Sequence, residues 1–402
     1  MRVIVIGGGA AGFFAAITSA VKYPNSHTIL LEAGKVPLTK VRISGGGRCN
    51  VTHHCFDAAQ LIQYYPRGSK ELRGAFSRFN PGDTIAWFNR EGVQLKTEAD
   101  GRMFPVTNSS ETIVECLLKA AEKAKVIIKT QTPVVKVAPG FTVVLKQGEE
   151  LQCDRLLIAT GSSPLGYRWA KDLGHQIEPP VPSLFTFNIR DSRLEGLSGV
   201  SVESVSLSLA TVGKNRLTQT GPIVITHWGL SGPAVLKLSA WAARLLHQHN
   251  YKLSLIINWL PEYPGESLKE ELLKLKTSSA KKQVYSHCPF KLPKRLWQRL
   301  VETVNIQTER TWAELSNAQL TALCQELKQG TYNISGKGVF KEEFVTCGGV
   351  SLSEMDFKTM QSKVCPGLFF AGEVLDIDGV TGGFNFQSAW TTGWIAGQSM
   401  GN

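Results

Sequence analysis

The chain has 402 residues, 43% hydrophobic and 19% charged, a composition that excludes intrinsic disorder and leaves room for two or three domains. With 44 Lys and Arg against 33 Asp and Glu, its net charge of +11 suits polyanionic partners such as nucleic acid, anionic substrates and cofactors, or plain solubility. Eight cysteines are too sparse for a disulfide scaffold, so a cytoplasmic protein with reduced thiols is expected.

The opening Arg2-Val3-Ile4-Val5-Ile6 is a β-branched run suited to a strand buried on both faces of a parallel sheet. It runs into Gly7-Gly8-Gly9-Ala10-Ala11-Gly12, a G-x-G-x-x-G turn, and a small-residue helix continues over Ala15 to Val21. The glycine triplet argues against a signal peptide, and no apolar stretch elsewhere is long enough for a membrane span. In such a turn Gly7 permits the tight bend, Gly9 lets backbone approach a pyrophosphate, and Gly12 lets helix pack on strand. A second strand, Thr28-Ile29-Leu30-Leu31, ends at Glu32, twenty residues beyond Gly12. An acid there bonds ribose hydroxyls and disfavours a 2′-phosphate, so the adenosine belongs to FAD or NAD.

The downstream segments favour FAD. Instead of further dinucleotide-type units, Lys40-Val41-Arg42-Ile43-Ser44-Gly45-Gly46-Gly47-Arg48-Cys49-Asn50 supplies a second glycine loop, suited to lying along a flat cofactor. Residues 53–100 read as mostly helical, with turns at Glu91-Gly92 and Asp100-Gly101. Val126-Ile127-Ile128 and Phe141 to Leu145 suggest a small meander returning to a buried strand, Leu156-Leu157-Ile158, that ends in Ala159-Thr160-Gly161. Pro179, Pro180 and Pro182 then punctuate the exit.

Alternating runs at Val200-Ser201-Val202, Val205 to Leu209 and Ile223-Val224-Ile225 predict a β-rich insert. From 265 the period turns helical, with Leu268, Leu272 and Leu275, then Leu296, Leu300 and Val304. Near the end, Leu368 to Glu373 repeats the strand-glycine pattern, and Gly379 through Gly383 opens a helix from about Phe384 to Ala396. The expected fold is α/β: a discontinuous Rossmann-like FAD-binding domain (1–183 and 336–402), a β-rich inserted domain (184–264) and a small helical subdomain (265–335). The last helix would aim its amino end at the flavin, and Glu373 would bond ribityl hydroxyls.

No second strand-G-x-G-x-x-G-helix unit occurs, so NAD(P)H is expected to dock transiently, and an oxidase discharging to O₂ remains open. Cys49, beside Arg48, is either a proton donor with a lowered pKa or a small packing residue. His227, in Thr226-His227-Trp228-Gly229, is either an acid-base group or a structural histidine. Cys49, His53, His54 and Cys55 lack metal-ligand spacing, and no metal is expected. Segment 268–310 carries ten Lys and Arg against four Glu, with Trp297 and Tyr285 among them. Such a module suits RNA docking by phosphate contact and stacking, or is simply a solvated face.

Several stretches carry a resemblance: GGGAAG at 7–12, ISGGGRCNVT at 43–52, GRMFPVT at 101–107, THWGLSGPAVLKLS at 226–239, VTCGGVSLSEM at 345–355, TMQSK at 359–363 and PGLFFAGEVLDIDGVTGGFNFQSAW at 366–390. In this order they resemble the BaiN/RdsA-like family of FAD-dependent flavoprotein oxidoreductases. The expected FAD contacts are Gly7, Gly9, Ala11, Gly12, Glu32, Lys40, Ser44, Gly45, Gly46, Arg48, Val135, Thr160, Gly161, Gly372, Glu373, Gly383, Phe384 and Asn385. The resemblance implies hydride transfer to or from a C=C or C=N bond. Uridine of ribosomal RNA is the best specific substrate; an enoate reductase, an amine oxidase or a non-catalytic flavin-containing RNA-binding protein are the alternatives. No stable protein partner is expected. Where family members carry a longer glycine-rich stretch, Gly161-Ser162-Ser163-Pro164-Leu165-Gly166-Tyr167 is clipped, which bears on substrate choice.

Overall fold

The computed structural model describes residues 1–210, 216–338 and 345–401. The chain separates into two units, Met1–Pro182 with Val345–Asn402, and Ser183–Phe344.

The first unit is built on a seven-stranded sheet in the order Met355–Asp356, Gln361–Ser362, Leu368–Phe370, Arg155–Ile158, Arg2–Ile6, His27–Leu31, Ile127–Lys129. The last five strands in that order run parallel, and the first two form an antiparallel hairpin at one edge. Val3 to Ile6 are buried, as a strand covered on both faces requires. Arg2–Ile6 pairs with the second strand on one side and with Arg155–Ile158 on the other. This reversal of direction opens a crevice at the strands' carboxyl ends, the place where doubly wound sheets bind ligands. Val126-Ile127-Ile128 departs from expectation: Ile127–Lys129 joins the parallel sheet, and the meander is made by Val134–Ala138, Thr142–Leu145 and Glu150–Gln152. The prolines at 179, 180 and 182 sit within a strand, Ile177–Ser183, paired in a separate two-stranded sheet with Val345–Val350. A strand with a single pairing edge tolerates residues lacking an N–H.

The opening helix (Ala10–Lys22) and the closing helix (Phe384–Ser399) lie against each other. Gly393 and Gly397 make this possible, since a methyl group on either would stand 2.6 Å from the carbonyl oxygen of Ala11 or Ala15. These two contacts advance together along both helices, so the helices run parallel.

A buried polar clip fastens the edge hairpin. His175 Nδ1 meets Glu354 Oε2 at 2.9 Å, and its Nε2 meets Ser362 Oγ at 2.8 Å. Burial holds the His175 pKa below its usual value, although Glu354 pulls the other way. The unfolded chain therefore binds the proton more readily, so the clip's stability is complete above about pH 6.5 and falls as pH drops through the lower folded value. Thermal melts should show this loss below pH 6.5, and His175→Gln should remove that part of the pH dependence.

The second unit is a closed barrel in the order Phe187–Ile189, Gly229–Ser231, Arg216–Thr226, Ser201–Ala210, Ser254–Asn258, Gly330–Lys337. Its last strand follows the helical stretch in sequence, so the barrel reaches beyond the expected 184–264 segment. Inward residues such as Leu207, Ile225 and Ile257 share one core with Leu272, Leu300 and Leu323 of the helices. Barrel and helices thus form one body. Among the described residues no helix is long and apolar enough to cross a membrane.

Candidate functional site

The crevice gathers the three glycine segments. Gly7, at φ 113°, ends the first strand, and a methyl group on it would lie 2.3 Å from Ala159 O, at the end of the neighbouring strand. Gly12 is equally constrained, its added methyl standing 2.0 Å from Gly7 O. Gly9 differs. It caps the opening helix in extended conformation, and a methyl group there would meet nothing within 4 Å. The helix has no side-chain cap and no acid in its first turn, so its amino end presents unmatched N–H groups and partial positive charge to that open space. Glu32 stands at the rim, accepting from Gly8 N–H at 2.8 Å and Gly34 N–H at 2.6 Å, with acceptor capacity left for a ribose hydroxyl. Thr132 N–H bonds the Glu32 carbonyl at 2.9 Å, and Val135, three residues on, is exposed.

Further along, Gly372 touches Ala11: a methyl on it would lie 2.8 Å from Ala11 Cβ. Lys40 Nζ donates to Glu373 Oε2 at 2.6 Å and approaches Ser162 Oγ at 3.4 Å, while Glu373 Oε1 accepts from Thr346 N–H at 3.0 Å. Gly161 packs beside the same carboxylate, and the Thr160 hydroxyl is buried without a hydrogen-bond partner. Lys40, Thr160, Gly161 and Glu373 therefore converge.

The third segment is the amino end of the closing helix. Gly383 caps it at φ 92°, again with no side-chain cap and no acid in the first turn. Asn50 ties this end to the second glycine loop, its carboxamide accepting from Gly383 N–H at 2.9 Å and donating to Thr52 O at 3.1 Å. Asn385 closes the turn through two bonds to Gly379, at 2.8 and 2.9 Å. The Phe384 ring is buried against Tyr64 at 4.3 Å and His53 at 4.6 Å. In the second loop Ser44 O accepts from Cys49 N–H at 3.0 Å, Gly45 packs on Phe104, and a methyl on Gly46 would meet nothing within 4 Å.

Arg48 and Cys49 are placed as follows. Arg48 turns to the hairpin Leu95–Thr97/Arg102–Pro105, bonding Glu98 at 2.6 Å and stacking 4.0 Å from the Phe104 ring centre. A carboxylate and an aromatic face within reach hold it there, and it braces the loop from the side. Cys49 is fully buried, and burial pushes its thiol up to about 12, opposite to the activating effect expected of Arg48. It packs in the core. Iodoacetamide at pH 8 should leave Cys49 unmodified in the native protein and label it only after denaturant is added, as peptide mass spectrometry would read.

His53, His54 and Cys55 do not converge with Cys49. His53 Nδ1 meets Gly382 O at 3.0 Å, and His54 packs edge-on to Phe56. His227 is exposed in the two-residue turn between Arg216–Thr226 and Gly229–Ser231, next to exposed Trp228. Trp297 is core, its Nε1 donating to Val284 O at 2.7 Å, so it offers no stacking surface.

Sequence reading passed over Gln387 and Asp378, and took Asn50 only as part of the second glycine loop. Gln387 is buried, and its Oε1 accepts from Thr52 and Thr84 at 2.6 and 3.0 Å, joining the closing helix to two other segments. Asn50 and Asp378 stand beside glycine turns in Gly-Arg-Cys-Asn and Asp-Ile-Asp-Gly, and that adjacency is the signal that could have found them.

The helix contacts supply a ruler. Ala11 is the second residue of the opening helix and meets Gly393, the tenth of the closing helix. At 1.5 Å per residue the two amino ends are offset by about 12 Å along nearly common axes. One electropositive end thus faces the open space above Gly9, and the other lies farther along the same direction. The residues fit a dinucleotide whose two halves are separated by a flexible chain.

Fold and crevice define the class of Rossmann-type flavoprotein oxidoreductases. The chain belongs to the HI0933-like family: the model described as "HI0933-like protein Rossmann domain" matches residues 1–399. It is 32% identical over 412 residues to a ribosomal RNA dihydrouridine synthase of Escherichia coli (strain K12), covering 99% of this chain and 97% of the relative. It is 30% identical over 414 residues to a 3-dehydro-bile acid delta(4,6)-reductase of Clostridium scindens, covering 99% and 98%. Among solved structures, the fold matches a 3-ketosteroid-delta4-(5alpha)-dehydrogenase from Rhodococcus jostii RHA1 with TM-score 0.51 and 14% identity, over 100% of this chain and 96% of that one. It also matches a flavocytochrome c3 fumarate reductase in its open conformation, with TM-score 0.51 and 15% identity, over 99% and 78%.

Proposed function

We propose that the chain binds FAD along this crevice and reduces the C5=C6 bond of uracil in ribosomal RNA, giving dihydrouridine. The observation that carries FAD binding is the pair of helix amino ends without a side-chain cap, offset along one groove, with open space above Gly9 and Gly46. The amino end at Gly9 holds the pyrophosphate, Glu32 bonds the adenosine ribose, and Glu373 with Lys40 holds the sugar-alcohol chain. The amino end at Phe384 stabilises negative charge at the far end of the cofactor. Bound FAD supplies hydride transfer from transiently docked NAD(P)H to the substrate.

Reduction places a hydride on one carbon of the double bond and a proton on the other.

The RNA reading is supported by the Escherichia coli relative and by the surplus of eleven positive charges. Expression in an Escherichia coli strain lacking that relative tests it: dihydrouridine, measured by mass spectrometry of purified ribosomal RNA, should reappear. Unchanged ribosomal RNA together with reduction of a steroid enone would instead support a small-molecule reductase, the reading that the Clostridium scindens relative favours. Bound flavin that neither NADH nor NADPH bleaches without air would favour a non-catalytic flavin-containing RNA-binding protein.

A further inference from the structure

We propose that the helical part of the second unit is a docking surface for the RNA phosphate backbone, distinct from the flavin crevice of the first unit; this rests on the RNA reading above. Segment 268–310 holds ten Lys and Arg against four Glu, a surplus of six out of the whole chain's eleven. Lys281, Lys282, Lys294, Arg295 and Arg299 are all exposed.

The helix Lys294–Thr303 explains why. Leu296, Trp297, Leu300 and Val301 are buried, which turns Arg295 and Arg299, four residues apart, outward on one stripe. Both guanidinium groups lie about the same loop, 4.0 Å from a methyl added to Gly196, and Arg295 also donates to the Gly196 carbonyl.

The neighbouring lysines are held firmly too. Lys282 O accepts from Trp312 N–H at 3.0 Å and Ala280 O from Ala313 N–H at 3.1 Å, which pins the Lys281-Lys282 turn to the segment beside Arg310. Tyr285 OH donates to Glu302 Oε1 at 3.1 Å, joining this turn to the arginine helix. Glu302 also pairs with Arg299 at 3.3 Å, and Glu309 is exposed nearby in sequence, so the surface is positive but not uniformly so. The large aromatics Trp297 and Trp312 lie in the core beneath it. Recognition here is therefore by charge rather than by base stacking. The surface anchors RNA without reading sequence, and the choice of base falls to the crevice.

The test uses full-length holoprotein and a fluorescein-labelled ribosomal RNA stem-loop, with anisotropy followed from about 50 to 200 mM salt. K281E/K282E/R295E/R299E should raise Kd at least tenfold and flatten the log–log salt slope by about 0.7 to 0.9 for each phosphate no longer neutralised. K281A/K282A, which leaves the arginine contacts to Gly196 intact, should shift both readings in the same direction by less. Visible flavin absorbance and thermal melts establish that both variants are folded. RNA binding equal to wild type in both variants overturns the proposal. So does stronger retention of the wild type on phosphatidylserine vesicles than on the RNA, which would assign the surface to a lipid bilayer. The two ideas separate cleanly. Charge-dependent RNA binding without dihydrouridine formation leaves the surface standing and removes the reaction; dihydrouridine formed equally by wild type and the quadruple variant does the reverse.

Discussion

Gly9→Val is expected to give a folded protein that purifies colourless, while Gly12→Val is expected not to fold. The two glycines lie three positions apart in one turn, yet their surroundings are opposite. Gly9 adopts φ −91°, ψ −171°, a conformation open to any residue, and an added side chain meets no protein atom within 4 Å. The cost to folding should stay below about 1 kcal/mol, the scale of an unfavourable helix cap. The same side chain fills the space proposed for the pyrophosphate, so flavin affinity should fall by two orders of magnitude or more. At Gly12 the new Cβ would stand 2.0 Å from Gly7 O, a clash with backbone that forces helix and strand apart. Circular dichroism and absorbance near ~450 nm, a property of the cofactor, read the two effects independently. A yellow Gly9→Val protein with stoichiometric flavin would remove the pyrophosphate from this turn.

Asp378→Ala should be among the most destabilising single changes in the first unit. Arg67 donates to Asp378 through two guanidinium nitrogens, and the Asp378 side chain is 0% exposed against 11% for Arg67. Removing the carboxylate breaks a largely buried ion pair from one side, a change that costs about 3–5 kcal/mol. For a unit of this size that is a drop in Tm of roughly 6–20 °C. Asp378 immediately precedes the glycine turn that leads into the closing helix, so flavin should be released before global unfolding. The double variant R67M/D378L should recover much of the Tm, because well-packed apolar side chains replace a buried ion pair at little cost. Differential scanning fluorimetry of the three variants, followed by intrinsic flavin emission, checks both parts.

The first strand, the glycine turn, Glu32 and the closing helix were legible because each rests on local rules: β-branched runs, glycines where backbone must approach backbone, and a helix start after a glycine pair. Barrel closure was not. Gly330-Thr331-Tyr332-Asn333-Ile334 has the alternation of a strand, but it stands after the long stretch of helical period that begins at 265, and only pairing with Phe187–Ile189 and Ser254–Asn258 reveals its place. Arg48 and Cys49 show the same limit within the crevice. Their types suggested cofactor and acid chemistry, and tertiary neighbours distant in sequence, Glu98 and Phe104 for Arg48 and the surrounding core for Cys49, set what each does. Trp297 likewise belongs to a basic segment in sequence and to the hydrophobic interior in space.

The parallel embrace of the opening and closing helices has a consequence for biogenesis. During translation the opening helix leaves the ribosome with its glycine face uncovered and waits while the second unit and the rest of the first are made. At about 5–20 residues per second, the interval of some 370 residues lasts roughly 20–75 s. Throughout it the nascent polypeptide displays an apolar helix with no mate, which is the profile of a chaperone client. Flavin loading belongs to the period after release, so riboflavin starvation should leave an accumulated, protease-sensitive apoprotein rather than stalled synthesis.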